Sequence, residues 1–303
     1  MTAIITRKQR DPNACGLFVG TSGFSYTEWV EAGFYPPGTK SGNMLSLYAR
    51  QFSITELNYT WYQMPRTEAV ERQRRQVPQE FLFAAKLTRT LTHEIDPQNW
   101  PDQAVNYREG MAPLIQTGQL AAVLIQLPPG FHRTSSNRKY LAALLDNLHG
   151  LPLAIEFRHG SWANDRVFAE LERRRVTLVA VDEPDLPGLF PALDIVTHPD
   201  LFYVRFHGRN AKGWRSGNMQ CQFDYNYSDD ELHEWIENKI EPMSDRARRG
   251  IIFFNNHVRA QAPENARRMV ELLRAHSKIT SHFRCRCIPT DCVTKTRNML
   301  DIP

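Results

Sequence analysis

The chain has 303 residues, is 42% hydrophobic, 11% aromatic and 23% charged, and carries a formal net charge of +4. That composition is globular, and it excludes a disordered chain or a minimal disulfide-stapled module. No run approaches the roughly 18 consecutive apolar residues of a spanning helix, so no membrane partner is expected, and so mild a charge permits an anionic ligand without arguing for nucleic acid.

Taken in chain order, short β-rich segments alternate with amphipathic ones. A strand over Leu17–Thr21 is followed by a helix over Met44–Phe52. Strand Ile54–Thr60 leads to helix Arg66–Gln76, strand Phe81–Leu87 to helix Gln103–Thr117, and strand Ala122–Leu127 to helix Ser136–Leu148. Strand Leu153–Arg158 precedes helix Asp165–Arg175. Strand Thr177–Asp182 has no clear helix after it, because Pro184, Pro187, Pro191 and Pro199 crowd that stretch. Strand Leu201–His207 then leads to helix Ser228–Ile240, opened by the capping box Ser228-Asp-Asp-Glu231, and strand Gly250–Asn256 to helix Pro263–His276. Strand length and β-branched content separate the two kinds of segment. Eight such repeats, roughly one per 30 residues, fit a (β/α)8 TIM-type barrel better than an open doubly wound sheet. The expected organisation is an extension over 1–15, one barrel domain over 16–276, and an extension over 277–303.

Alternation along each strand sorts side chains into inward and outward sets. Bulky apolar residues are assigned to the helix side, which sends Glu56, Asn58, Lys86, Gln126, Glu156, Arg158, Asp182, Arg205, His207, Asn256 and Ser22 inward. They cluster at the C-terminal strand ends, the face on which barrel enzymes build their sites. The acids Glu56, Glu156 and Asp182 balance Lys86, Arg158 and Arg205. The alternative is an ion-paired plug with no function, but barrel interiors are normally filled by apolar side chains and such a plug gains little over them.

The βα loops hold Trp29, Trp61, Trp100, Trp162 and Trp214, with Phe24, Tyr26, Tyr62, Phe131, Tyr225 and Tyr227. An aromatic rim of this kind can stack sugar rings or bases, although loop packing accounts for any single one. Gly20-Thr-Ser-Gly23 lacks the spacing of a phosphate loop. The basic runs Arg72–Arg75, Arg173–Arg175, Arg246–Arg249 and Arg267–Arg268 read as solvated helix faces. His93-Glu94 with Glu156, Asp182 and His207 could ligate a divalent metal, but no local signature supports it and three cations already balance the acids, so no cofactor is assigned. Met1–Asp11 lacks the apolar core of a signal peptide. An odd set of cysteines (Cys15, Cys221, Cys285, Cys287, Cys292) then points to reduced thiols and a cytoplasmic location. The tail spacing C-x-C-x4-C, with His282 upstream, lacks the two close ligand pairs of structural zinc.

Several of these residues form a familiar series. Gly20-Thr-Ser-Gly-Phe-Ser-Tyr26 with Trp29, Glu56-Leu-Asn58 with Tyr62 and Pro65, and Phe81–Lys86 followed by Thr92-His93 come first. Gln126-Leu-Pro-Pro129, Glu156-Phe-Arg-His159 with Ser161-Trp162, Asp182, Tyr203–Gly208, Tyr225-x-Tyr227 and Phe253-Phe-Asn-Asn256 follow. In this order, over residues 17 to 273, the chain resembles the YecE-like family, the domain of unknown function numbered 72. The resemblance implies a TIM-type barrel and brings no settled activity, nucleic-acid binding being one suggestion made for the family. This chain departs from the usual pattern at Phe24, where Trp is commoner, and at Trp61-Tyr62-Gln63, which replaces a typical Phe-Tyr-Arg. A Trp often found in the next helix is absent from Glu71–Gln76.

The leading expectation is an enzyme using hydrolase- or lyase-like acid–base chemistry on an anionic or sugar-containing ligand. Glu156 is the proposed acid or base, with His207, Asp182, Lys86 and Glu56 as further catalytic candidates. A retaining glycosidase needs two carboxyl groups about 5 Å apart. Ligand contacts are expected from Arg158, Arg205, Asn58, Gln126, Asn256, Ser22, Tyr26, Trp29, Tyr62, His93, Trp162 and Trp214. The alternative is a single-stranded nucleic-acid binder or phosphodiesterase-type protein, stacking bases on the rim and holding phosphates with arginines.

Overall fold

In the computed structural model, residues 16–276 and the two-residue strand 284–285 are described. The strands are β1 (Gly16–Thr21), β2 (Ile54–Leu57), β3 (Leu82–Lys86), β4 (Leu120–Gln126), β5 (Leu153–Glu156), β6 (Thr177–Asp182), β7 (Phe202–Phe206), β8 (Arg249–Phe254) and β9 (Arg284–Cys285). All pair in parallel, in the order β2-β3-β4-β5-β6-β7-β8-β1-β9. The main helices are α1 (Ser41–Tyr48), α2 (Thr67–Arg74), α3 (Trp100–Gly110), α4 (Ser135–Asn147), α5 (Asp165–Arg174), α6 (Asp229–Trp235) and α7 (Gln261–Ala275). The helix expected over Gln103–Thr117 is two pieces, since a second one, Ala112–Gln116, begins beside Pro113. The proline-rich stretch after β6 forms no helix, and Ser228 and Glu231 make the capping box that starts α6.

The seam between β1 and β2 closes the barrel differently from the other seams. It has one bridge, Ser22 to Glu56. Beside it the Tyr48 hydroxyl of α1 accepts from Thr21 N at 2.8 Å and donates to the Ile54 carbonyl at 3.1 Å. A side chain thus completes backbone groups that a ladder would otherwise pair. A Cβ at Gly20 would lie 2.3 Å from that carbonyl, so only glycine allows this approach.

The lower barrel is apolar, filled by Phe18, Ile54, Leu82, Leu124, Val179, Val181, Tyr203, Ile251 and Phe253. Inward residues nearer the C-terminal ends are polar: Glu56, Lys86, Gln126, Glu156, Arg158 and Arg205. Three expectations are corrected. Val179 and Val181 face inward, so Asp182 points outward and Glu183 takes the inward place. Ile251 and Phe253 likewise face inward, which turns Asn255 inward and Asn256 outward. Both strands are buried on both faces, so bulk gives no parity signal, and a one-residue slip exchanges the faces. Strand β2 ends at Leu57, and Tyr59–Tyr62 is a helical turn, so Trp61 does not follow strand alternation. Cys15, His282, Cys287 and Cys292 lie outside the described residues, and Cys221 is exposed and unpaired.

Candidate functional site

The floor of the barrel mouth is a chain of ion pairs. Arg205, 1% exposed, holds Glu56 in a two-point clamp, Nη2 to Oε1 at 2.7 Å and Nε to Oε2 at 3.1 Å. Its Nη1 reaches Glu156 Oε2 at 2.6 Å, and Nη2 also donates to Ser22 Oγ at 3.3 Å. Arg158 takes the other Glu156 oxygen through Nε at 2.5 Å and Glu183 through Nη1 at 2.8 Å. The Tyr203 hydroxyl donates to Glu56 Oε2. Burial alone would raise the Glu156 carboxyl, but Arg158 and Arg205 overcome it and hold it well below the usual range. A carboxylate so held stays ionised and has both oxygens engaged.

His207 lies in the same layer. Burial, then the Arg158 charge, lowers its pKa to about 3, so the ring is neutral. Its Nε2 accepts from Arg158 Nη2 at 2.9 Å, while Asn255 lies 3.1 Å from Nδ1. Glu183 is displaced upward to about 7, first by burial, with Arg158 opposing and Glu156 adding. Its Oε1 has no hydrogen-bond partner among the described residues.

Above this floor opens a cavity of about 870 Å³. Its charged lining consists of Lys86, Arg158, Arg205, Arg72 and Glu56, with His93 and His257. Lys86 differs from the buried charges around it. No hydrogen bond or ion pair to its Nζ is found among the described residues, and Nζ sits 5.0 Å from the Trp61 ring centre. Burial, then Arg205, lowers its pKa to about 7, against the pull of Glu156 and Glu56.

His93 is held through Nδ1, which lies 2.8 Å from Thr92 Oγ1 and 3.3 Å from Trp61 Nε1. Burial, then Lys86, lowers the ring to about 4, leaving it neutral. Its Nε2 makes no hydrogen bond among the described residues.

Of the residues singled out from sequence, Glu56, Lys86, Arg158, Arg205, Asn58, Gln126, Tyr26, Tyr62, His93 and Trp214 line the cavity. Glu156, His207 and Ser22 lie in its floor through their bonds to the arginines. Asp182, Asn256, Trp29 and Trp162 do not reach it. Asp182 is outside the barrel, accepting from Arg209 at 2.7 Å, Tyr227 at 2.8 Å and Trp235. Asn256 donates to Tyr225 O and Asn265 Oδ1, both at 2.7 Å, toward α7. Trp29 is fully buried with Nε1 on the His257 carbonyl. Trp162 stacks on Phe157 with ring centres 4.7 Å apart. Sequence reasoning missed Glu183, Asn255, Phe223 and His257, and placed Trp61 in the aromatic rim without assigning it a ligand contact. The first two were one register step away; the others sit on turns that strand periodicity does not describe. Arg72, read as a solvated helix face, borders the cavity while remaining exposed. Among the described residues no cluster of three or more His, Cys, Asp or Glu is arranged to hold a metal ion, and no helix is long and apolar enough to cross a membrane.

Comparison with known proteins agrees with this fold. The family model described as "Protein of unknown function DUF72" matches residues 18–286. The UPF0759 protein YunF of Bacillus subtilis is 26% identical over 271 residues, covering 85% of this chain and 94% of YunF. The UPF0759 protein YecE of Escherichia coli is 29% identical over 147 residues, 47% of this chain and 48% of YecE. A DUF72 family crystal structure from Thermotoga maritima superposes with a TM-score of 0.77 at 34% identity, covering 86% of this chain and 99% of that one. One from Enterococcus faecalis gives 0.77 at 29%, covering 85% and 95%. The motifs, the barrel and these matches converge: the chain belongs to the DUF72 family, with the TIM-type barrel of its relatives.

Proposed function

We propose that the chain is an enzyme that carries out acid–base chemistry on a small anionic, sugar-type substrate in the barrel mouth. Lys86 is the observation that carries this reading. Its ammonium faces the cavity without a paired carboxylate, and its pKa of about 7 lets it hold or release a proton at neutral pH. A structural plug has no use for an unpaired, half-buried cation, whereas a site does.

The substrate class follows from the lining. Cations outnumber carboxylates around the cavity, and Glu56 is already engaged by Arg205. Of the five N–H donors of an arginine, Arg158 uses three on Glu156, Glu183 and His207, which leaves donors for a phosphate or carboxylate. Trp61, Tyr62, Trp214 and Phe223 supply ring faces. In this reading Arg158 and the charged Lys86 hold the anion, Lys86 also moves the proton, and Glu156 and His207 fix the arginines. Hydrolysis and elimination both fit such a proton carrier.

The test is a thermal-shift panel of neutral sugars, sugar phosphates, nucleotides and short single-stranded oligonucleotides on the wild type and Lys86→Met. Sugar phosphates should raise the melting temperature of the wild type only, since a ligand of the native state stabilises it by linkage. The same compounds are then assayed for turnover. A shift confined to oligonucleotides and lost in high salt would replace this reading with nucleic-acid binding. No shift with any anion would remove it.

A further inference from the structure

We infer that the mouth continues into a second subsite between α1 and α2, which takes a neutral, hydroxyl-bearing ring of an elongated substrate; this rests on the reading of the mouth proposed above. The cavity's volume of about 870 Å³ lies near the top of the roughly 300–1,000 Å³ range of small-ligand pockets, more than one sugar ring requires. Its lining runs past Tyr59 to Ser41 and Gly42 on α1 and to Ala69, Arg72 and Gln73 on α2.

The composition of α2 is the stronger argument. Ala69, Arg72 and Gln73, with Gln76 in the turn just past the helix end, recur at i, i+3, i+4 and i+7, the spacing of one helix face. On a barrel helix such a stripe facing other protein is ordinarily apolar. Here it is polar and borders a cavity, while Val70 is the one residue of α2 that is buried. The opposite wall is small: a Cβ on Gly42 would meet nothing within 4 Å. Phe24, Leu45 and Leu57 give the arm an apolar side.

Two polar atoms in these walls have no hydrogen-bond partner among the described residues, the Tyr59 hydroxyl and Gln73 Oε1. Both are tucked behind the surface, so each can turn to a ligand without giving up an existing bond. The Tyr59 hydroxyl is raised to about 12 by burial and therefore remains a donor. A donor and an acceptor of this kind suit ring hydroxyls, which serve as both. The arm has no carboxylate, and its cation, Arg72, is exposed at the rim. Its interior therefore favours a neutral unit, with the anionic group left in the mouth.

Titration calorimetry on the full chain tests this, using glucose 6-phosphate as the one-ring probe and trehalose 6-phosphate and sucrose 6-phosphate as two-ring probes. The tighter two-ring probe should bind wild type about tenfold better than glucose 6-phosphate, the worth of one or two net hydrogen bonds. Ala69→Phe, which places a ring in the arm, and Gln73→Leu, which removes its amide, should each bring that ratio to about one. Gln73→Leu keeps the test valid if the larger substitution disturbs folding. Equal binding of one- and two-ring probes by wild type, or an advantage that persists in both variants, overturns the subsite while glucose 6-phosphate binding preserves the reading of the mouth. Failure of every probe to bind wild type overturns both.

Discussion

Arg205 and Lys86 are cations of the same cavity, yet they relate to the fold in opposite ways. Arg205 neutralises Glu56 and Glu156 together, and its guanidinium is buried against both. Removing one partner from a buried ionic cluster leaves uncompensated charge, so Arg205→Ala should lose roughly 3–5 kcal/mol in denaturant titrations. An unchanged unfolding midpoint would mean that the cluster is not carrying charge as drawn. Because of this cost, Arg205 is a poor probe of ligand binding. Lys86 pairs with no carboxylate, so removing its charge costs the fold little and the site much. Its pKa of about 7 also sets a pH signature. The charged form binds anions, so affinity for glucose 6-phosphate should fall as pH rises from about 7 to 9. In Lys86→Arg, whose side chain stays charged, the profile should be flat over that window. A wild-type profile that is also flat would assign the anion to Arg158 alone.

At the scale of the element, what decides the site is the parity of each strand. Strands β5 and β7 end in mixed apolar and charged residues, so Glu156, Arg158, Arg205 and His207 could be placed from alternation. In β6, Thr177–Asp182, both faces are buried and Leu178–Val181 between its ends are all apolar, so bulk misled the assignment. The consequence is chemical as well as geometric: the inward acid is Glu183, while Asp182 anchors Arg209, Tyr227 and Trp235 on the helix side. Asp182→Asn should thus lower stability while leaving glucose 6-phosphate affinity near wild type, a separation that paired denaturation and calorimetry would read. The β1–β2 seam is a second element that periodicity could not reveal, because a tyrosine from α1 completes it. Tyr48→Phe removes the group that meets the buried Thr21 N–H and the Ile54 carbonyl, and should cost about 1–3 kcal/mol with the barrel intact. A change below about 0.5 kcal/mol would mean that the strands close without it.

For the whole molecule, the eightfold strand–helix alternation makes the barrel legible in the sequence, since length and periodicity are properties of the chain. The cavity was less legible, because its walls come from turns such as Tyr59–Tyr62 and from a polar stripe on α2 that reads as solvent-facing. The polar layer on an apolar barrel has a further consequence, for how stability varies with pH. His207, His93 and Glu156 have folded-state pKa values below their ordinary ones, so the histidines contribute stability that is lost as pH falls below about 6.5 and Glu156 stability that is lost below about 4.5. Glu183 works the other way: raised to about 7, it contributes stability at low pH that disappears by neutrality. Between pH 7 and about 10 Lys86 sets the trend. Its value is lowered from 10.5 to about 7, so between these limits the unfolded chain binds more protons and stability rises with pH. Above about pH 10 the buried tyrosines Tyr203 and Tyr227, raised by burial and by neighbouring carboxylates, reverse the trend, because the unfolded phenols ionise first. The melting temperature should therefore keep climbing from pH 7 to about 9, where an ordinary domain is level or declining. Lys86→Met should abolish that climb and melt higher than wild type at pH 7, because the cost of burying the ammonium is gone. A wild-type melting temperature that is level from pH 7 to 9 would show that Lys86 keeps its proton in the folded state, and would remove it as the proton carrier at neutral pH.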